Sequence, residues 1–247
     1  MHKPVLIIGA TSGIARGIAR ALAAKGHDLF ICGRNTDELK RIARDLELRY
    51  RVCTEVSQFD GDDNSSHQKF LNKVLTKSEN QLEGVVFAMG DMGDQKESEQ
   101  DPVAACQIIQ RNFTAAVSLL GICANFMGAQ KRGFIIGISS VAGDRGRQSN
   151  YIYGAAKSGL SAFLEGLRNR MQSSKVRILT VKPGFVDTGM TFGLPGLFLV
   201  ADPYEAGEKI VSALAGSRDV IYLPWFWRFI MLIIRHIPEP VFKRLKL

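Results

Sequence analysis

Short apolar, β-branched runs alternate with longer helical stretches along almost the whole chain. The runs are Val5–Gly9, Leu29–Gly33, Arg51–Val56, Gly84–Gly90, Gly133–Ser140, Val176–Gly184 and Val220–Pro224. Several are apolar without a polar break, as in strands of a parallel sheet covered on both faces. Between them stand helical segments such as Ile14–Lys25, Thr36–Leu48, Pro102–Met127, Ile152–Met171 and Tyr204–Ala215. The hand of a strand–helix–strand crossover is nearly fixed. Seven such strands therefore predict an α/β fold: a doubly wound, seven-stranded parallel sheet with helices on both faces. Neither repeat nor linker interrupts residues 1–220, so one domain over 1–224 is expected, followed by an apolar, basic tail over 225–247.

Ligands of such sheets sit at the carboxyl ends of the strands, near the switch point. The first strand runs into Gly9-Ala10-Thr11-Ser12-Gly13-Ile14-Ala15, which opens a helix. Glycines at 9 and 13 let the backbone turn tightly and approach a pyrophosphate, which the helix N-terminus stabilises. Gly9, Thr11, Ser12, Gly13 and Ile14 are the candidate cofactor contacts of this turn. A plain tight turn is the bland alternative. The second strand ends Ile31-Cys32-Gly33-Arg34-Asn35, with a guanidinium where an NAD enzyme usually keeps a carboxylate for the ribose. Arg34 could pair with a 2′-phosphate and stack on adenine, so NADP(H) is favoured over NAD(H). Asp60, after the third strand, is either an adenine contact or a turn-forming aspartate.

Tyr153 and Lys157 stand four apart at the start of a helix and share one face. An ammonium beside a phenol favours the phenolate, so a lowered Tyr153 pKa is expected. The phenol can then give a proton to an alkoxide in reduction, and the phenolate can take one in oxidation. Ser140 ends the fifth strand and could hydrogen-bond a substrate carbonyl. Asn112 lies in an otherwise apolar helix, where its amide needs a partner; a water-mediated link to Lys157 would supply one.

These motifs resemble the short-chain dehydrogenase/reductase family, in its single-domain branch, over roughly residues 4–224. The matching residues are Gly9-x-x-x-Gly13-x-Ala15, Asn112, Ser140, Tyr153-x-x-x-Lys157 and Pro183-Gly184-x-Val186-x-Thr188. The resemblance implies that Asn112, Ser140, Tyr153 and Lys157 form a catalytic tetrad. It implies that Pro183, Gly184, Val186 and Thr188 hold the nicotinamide end, with Tyr153, Lys157 and Gly90 also at the cofactor. Tyr151 is a decoy, since Ala155 follows it at the lysine's spacing. The family's Asn-Asn-Ala-Gly after the fourth strand is Phe87-Ala88-Met89-Gly90 here, which puts some contacts of the cofactor cleft in doubt.

Glycines at 189, 193 and 196, with Phe192, Leu194, Leu197, Phe198 and Leu199, make an apolar segment where the family keeps its substrate-covering loop. Such a loop suits a hydrophobic or lipid-linked carbonyl substrate; alternatively these residues simply pack on the domain. The tail opens Trp225-Phe226-Trp227 and continues to Arg235, too short and too charged to span a bilayer as an ordinary helix. Tryptophans at its start and basic residues towards its end suit a helix lying in the membrane interface; a C-terminal arm against a partner subunit is the competing reading. Lying past the last strand, the tail is expected to be removable without touching the cofactor site. Loop and tail together resemble the branch of the family that reduces keto-pentose sugars on a polyprenyl phosphate carrier.

Composition narrows the alternatives. At 46% hydrophobic and 23% charged residues the chain is ordinary globular material. Of the net charge of +8, half falls on the residues from Val220 onward, so the charge marks a basic tail, and nucleic-acid binding is not expected. Cys32, Cys53, Cys106 and Cys123 lack any C-x-x-C spacing and read as buried thiols in a reducing compartment. The histidines are scattered, so no metal is expected. Val5–Gly9 is far shorter than a signal-peptide core, and a cytoplasmic location follows, at the inner face of the cell membrane if the tail binds lipid. The leading expectation is a homo-dimeric or tetrameric NADPH-dependent reductase. A soluble reductase of small hydrophobic ketones (3-oxoacyl or steroid-like) is the alternative within enzymes; a cofactor-sensing protein is the alternative outside them.

Overall fold

Uninterrupted apolar runs become strands because both of their faces are covered. The computed structural model describes residues 3–193 and 198–245. Its strands are β1 (Val5–Ile8), β2 (Leu29–Gly33), β3 (Thr54–Gln58), β4 (Gly84–Phe87), β5 (Phe134–Ile138), β6 (Arg177–Pro183) and β7 (Val220–Leu223). They form one parallel sheet in the order β3-β2-β1-β4-β5-β6-β7. The order reverses between β1 and β4, and this is the switch point.

Register decides which residues share a core. Val5 aligns with Leu29 and Gly84, and Ile7 with Ile31 and Val86, so odd positions of β1 face one side and even positions the other. The first side is covered by helices α1 (Gly13–Ala24) and α2 (Thr36–Tyr50), and by a later helix over Pro203–Ala213. The second, with Leu6, Ile8, Phe30 and Phe87, is covered by α3 (His67–Lys77) and by two longer helices downstream. The chain continues with α4 (Gln95–Gln100), α5 (Pro102–Ile109), α6 (Ala115–Gln130), α7 (Tyr151–Met171), α8 (the Pro203–Ala213 helix), α9 (Trp227–His236) and α10 (Glu239–Phe242). Side chains with an oxygen acceptor start the helices that frame the site: Ser12 caps α1, Asn35 caps α2 and Asp202 caps α8. Among the described residues, Pro102–Gln130 is the stretch long and apolar enough to cross a membrane; Leu119, Cys123 and Met127 are fully buried in the second core, as befits an internal helix.

Two expectations shift. The third strand begins at Thr54, because Arg51 adopts the left-handed conformation (φ 57°) and closes α2 with an N–H bond to Glu47. The helix expected over Pro102–Met127 is broken by a π-turn at Gln110–Thr114, where Ala115 N–H reaches Gln110. Of the cysteines, Cys32 and Cys123 are buried, but Cys53, in the loop before β3, and Cys106, on the outer side of α5, are exposed; all four are free thiols.

The tail does not stand apart. Trp227 and Met231, on the inner side of α9, are buried against Val141, with Phe185 and Tyr222 packed around them. A Cβ on Gly184 would come within 2.0 Å of the Trp227 indole nitrogen, so the indole lies directly on that glycine's backbone. The Arg145 guanidinium donates to the carbonyls of Ile234 and Ile237 at 2.7 Å each, pairs with Glu239 at 2.9 Å and covers the Phe242 ring. It thus caps the end of α9 and ties α10 to the loop after β5. The expectation that the tail can be removed without touching the cofactor site is corrected: its inner face is part of the core beneath that site.

Candidate active site

A cleft of about 520 Å³ opens at the carboxyl ends of β1, β2, β4, β5 and β6. Its walls include Gly9, Thr11, Ser12, Gly13 and Ile14 on the first turn, Arg34 after β2 and Asp60 after β3. Gly90, Ser140, Tyr153 and Lys157 line its centre, and Pro183, Gly184, Val186 and Thr188 its far side. Residues from all along the chain therefore meet here. Asn112 is the sequence-predicted residue that does not line the cleft.

The turn after β1 is shaped for an anion. Gly9 has φ +79°, and a Cβ there would lie 2.8 Å from the Met89 amide nitrogen, so a side chain is excluded. Ser12 caps the helix by accepting from Ala15 N–H, and the N-terminus of α1 faces the cleft. Asn35 is occupied as the cap of α2, which leaves the exposed Arg34 as the polar side chain after β2 that is available to a ligand. Asp60 lines the cleft and also accepts from Asp62 N–H at 3.1 Å, so turn former and wall residue are one.

Tyr153 and Lys157 are both buried, 7% and 2% exposed, on the first turns of α7. The Lys157 ammonium nitrogen lies 5.6 Å from the Tyr153 ring centroid and donates to the Ile138 carbonyl at 3.0 Å. Ser140 accepts from Ala142 N–H at 3.1 Å, capping a short 3₁₀ turn, and its hydroxyl acts on the Tyr153 phenol in favour of the phenolate. Tyr151, the decoy, is exposed.

The expected depression of the Tyr153 pKa is not found. Burial pushes the phenol up to about 12, with the Ser140 hydrogen bond pulling the other way, and burial pulls Lys157 down to about 7. Desolvation outweighs the pairing because neither charge has water around it. At neutral pH the phenol is therefore protonated. The lysine makes a prediction about stability. An unfolded lysine holds its proton up to about 10.5, whereas the native one loses it near 7. Between those values the unfolded state binds more protons, so native stability rises with pH there. Melting temperatures at pH 7 and pH 9.5 should show the wild type gaining stability relative to Lys157→Met; parallel pH profiles would contradict the depressed pKa.

Asn112 is fully buried within the π-turn. Its amide donates to the carbonyls of Asp91 at 2.6 Å and Ile108 at 2.9 Å, and its oxygen accepts from Asp91 N–H at 3.3 Å. The amide thus finds its direct partners in backbone. A Cβ on Gly90 would lie 3.0 Å from Asn112 Oδ1 and 3.3 Å from Lys157 Nζ, so both side chains converge on that bare stretch of backbone.

Sequence reasoning missed two ion-pair groups. Arg111 bridges Asp62 and Asp91 at 2.7 Å each, joining the loops after β3 and β4 along the cleft wall. Lys182 pairs with Asp144, whose side chain is 2% exposed and also accepts from the Tyr222 hydroxyl at 2.8 Å. Neither had a signal in the sequence beyond lying next to Asn112 or Pro183. Met89, standing where the family has alanine, fills the space at Gly61, where a Cβ would meet its methyl at 2.3 Å. In the apolar segment, Phe192 and Leu199 are exposed, while Phe198 packs on Phe185 and Trp227 with centroids 5.6 Å apart in each case. Leu194, Gly196 and Leu197 lie outside the described residues, as does Lys246 of the tail.

The family profile described as short chain dehydrogenase matches residues 3–194. An uncharacterized oxidoreductase of Mycobacterium tuberculosis is 34% identical over 242 residues, covering 98% of this chain and 96% of the relative. Another, from Streptomyces coelicolor, is 32% identical over 245 residues, covering 98% and 96%. Among solved structures, an actinorhodin polyketide ketoreductase with NADPH superposes with a TM-score of 0.81 at 20% identity, covering 92% of this chain and 97% of that one. A Burkholderia cenocepacia short chain dehydrogenase in complex with NADP gives 0.82 at 18% identity, covering 100% and 98%. The switch-point cleft and the sequence match agree: this chain is an oxidoreductase of the short chain dehydrogenase family.

Proposed function

We propose that the chain is an NADP(H)-dependent oxidoreductase interconverting a ketone and a secondary alcohol, with Tyr153 as its acid/base and a hydrophobic or lipid-linked substrate. The observation that carries this is a buried phenol beside Lys157 and Ser140 in the wall of the switch-point cleft. The cleft fits a dinucleotide by its chemistry: a glycine that admits no side chain, a helix N-terminus for the pyrophosphate, and a free guanidinium at the adenosine end. Gly9, Thr11, Ser12, Gly13 and Ile14 would hold the phosphates, Arg34 a 2′-phosphate, and Pro183, Gly184, Val186 and Thr188 the nicotinamide end. Such a cofactor, when bound, supplies or accepts the hydride.

The chain's own work concerns the proton. Ser140 hydrogen-bonds the substrate oxygen and holds it towards Tyr153. With its pKa raised, the phenol keeps its proton at neutral pH and is ready to give it to a forming alkoxide, which favours the reductive direction. As the phenolate forms, a proton on Lys157 becomes worth more, because opposite charges meet in a poorly solvated site. Asn112 fixes the backbone at Asp91 and so the Gly90 wall beside Lys157. The exposed Met190 and Phe192 beside the cleft support an apolar substrate, and a cytoplasmic homo-dimer or tetramer belongs to the same reading.

Titration of the protein with NADPH and with NADH, followed by fluorescence, tests the cofactor preference. NADPH should bind more tightly, and Arg34→Ala should weaken NADPH about tenfold while leaving NADH nearly unchanged, given ~1.5 kcal/mol for a charged hydrogen bond at an exposed site. Equal wild-type affinities would reject the preference. NADPH consumption across a panel of ketones of increasing apolar length tests the substrate class; turnover that does not rise with length would reject a hydrophobic substrate.

A further inference from the structure

Helix α9 has two different faces. Trp227 and Met231 are spent on the core, but Trp225, Phe229, Leu232 and Ile233 are all exposed, at 70%, 56%, 54% and 68%. At 100° per residue Phe229, Leu232 and Ile233 fall on the side opposite Trp227, and Trp225 is exposed in the turn that leads into the helix. So much apolar area on a ten-residue helix marks a contact surface. Arg228 and Arg235, seven residues apart, run along one edge of that side, and the exposed Lys243 and Arg244 lie beyond it. The acid of this region, Glu239, is already engaged by Arg145. The surface therefore combines bare apolar side chains with uncompensated positive charge.

We propose that this face of α9 docks on the surface of an anionic phospholipid bilayer. Ten helical residues span only ~15 Å, half of a hydrocarbon core, so the helix lies in the interface and does not cross it. Its aromatic and aliphatic side chains enter the acyl boundary while the arginines meet headgroup phosphates. A second copy of the chain is a poor occupant: a two-fold contact through this face would bring Arg228 and Arg235 against their own counterparts. The helix that carries this face sits beside the cleft, since the Trp227 indole on its inner side lies on the backbone of Gly184, a residue of the cleft wall. Docking thus sets the cleft beside the bilayer, where a carbonyl on a lipid tail can reach it. This last step rests on the oxidoreductase reading given above.

The test is flotation of the full-length protein with vesicles of phosphatidylcholine alone, and of phosphatidylcholine mixed with phosphatidylglycerol, at low and high salt. Wild type should float with the mixed vesicles at low salt and less at high salt. Arg228→Glu/Arg235→Glu should weaken binding at least tenfold, each arginine near an anionic surface being worth about fivefold. Phe229→Asp/Ile233→Asp should abolish it at either salt. All three proteins should titrate with NADPH alike, showing that they are folded. Failure of the wild type to float overturns the proposal, and equal flotation with neutral vesicles overturns its electrostatic part. If Phe229→Asp/Ile233→Asp instead turns an oligomer into monomers in sedimentation, the occupant is a second copy and the bilayer reading falls. Flotation without NADPH binding would leave docking standing while the oxidoreductase reading fails; NADPH-dependent turnover without flotation would do the reverse.

Discussion

Tyr153→Phe is expected to lower kcat by about 10²- to 10⁴-fold, the usual worth of a positioned proton donor, while NADPH titrates as in the wild type. The substitution removes one hydroxyl from a ring that is 7% exposed and packs with Ile108 and Ala142, so the ring's packing survives. What is lost is the hydroxyl facing Ser140 and the proton it carries. Because the buried phenol stays protonated up to about 12, the wild-type reductive rate should not fall on the alkaline side through loss of the Tyr153 proton below that pH. Stopped-flow or steady-state kinetics with a ketone that the wild type reduces, paired with a cofactor titration, would decide. A variant keeping more than about a tenth of wild-type kcat would remove Tyr153 from the chemistry. A variant that also loses NADPH would show a structural effect instead.

Trp227→Ala is expected to be among the most damaging single changes for stability. The indole is 2% exposed, meets Phe185 edge-on at a centroid distance of 5.3 Å and lies on the Gly184 backbone. Truncating a buried aromatic of this size costs ~3–5 kcal/mol. For a domain of this length that corresponds to a fall in Tm of roughly 6–20 °C. Trp225→Ala, two residues away and 70% exposed, should be nearly silent. Ending the chain at residue 224 should be worse than Trp227→Ala, because it also uncovers Val141 and leaves Arg145 without the carbonyls it caps. Thermal unfolding of the three proteins separates these effects. A truncated chain that unfolds cooperatively at the wild-type temperature would show that α9 adds nothing to the core.

The contrast between Trp225 and Trp227 shows where sequence stops being informative. Both stand in one apolar, tryptophan-led stretch, and nothing local says which is buried; the turn of α9 over Gly184 decides it. Asn112 is similar. Its polarity within an apolar helix marked it as special, but the π-turn that points its amide at two backbone carbonyls depends on where Asp91 comes to rest. The Arg111 and Asp144 ion pairs join residues that lie 20 to 49 positions apart, so no short window of sequence contains them.

By itself the sequence determined the seven-stranded parallel sheet, the glycine turn into the first helix and most of the residues around the cleft. Each of these is written in a short window: an unbroken apolar run, a glycine before a helix, a tyrosine four residues ahead of a lysine. Only the tertiary structure decided the sign of the Tyr153 shift, because pairing with Lys157 acts between neighbours, whereas burial sums over every element packed around the site. It also decided that the tail's inner face belongs to the core while its outer face stays exposed, since the side on which a helix lies down is fixed by the surface that receives it.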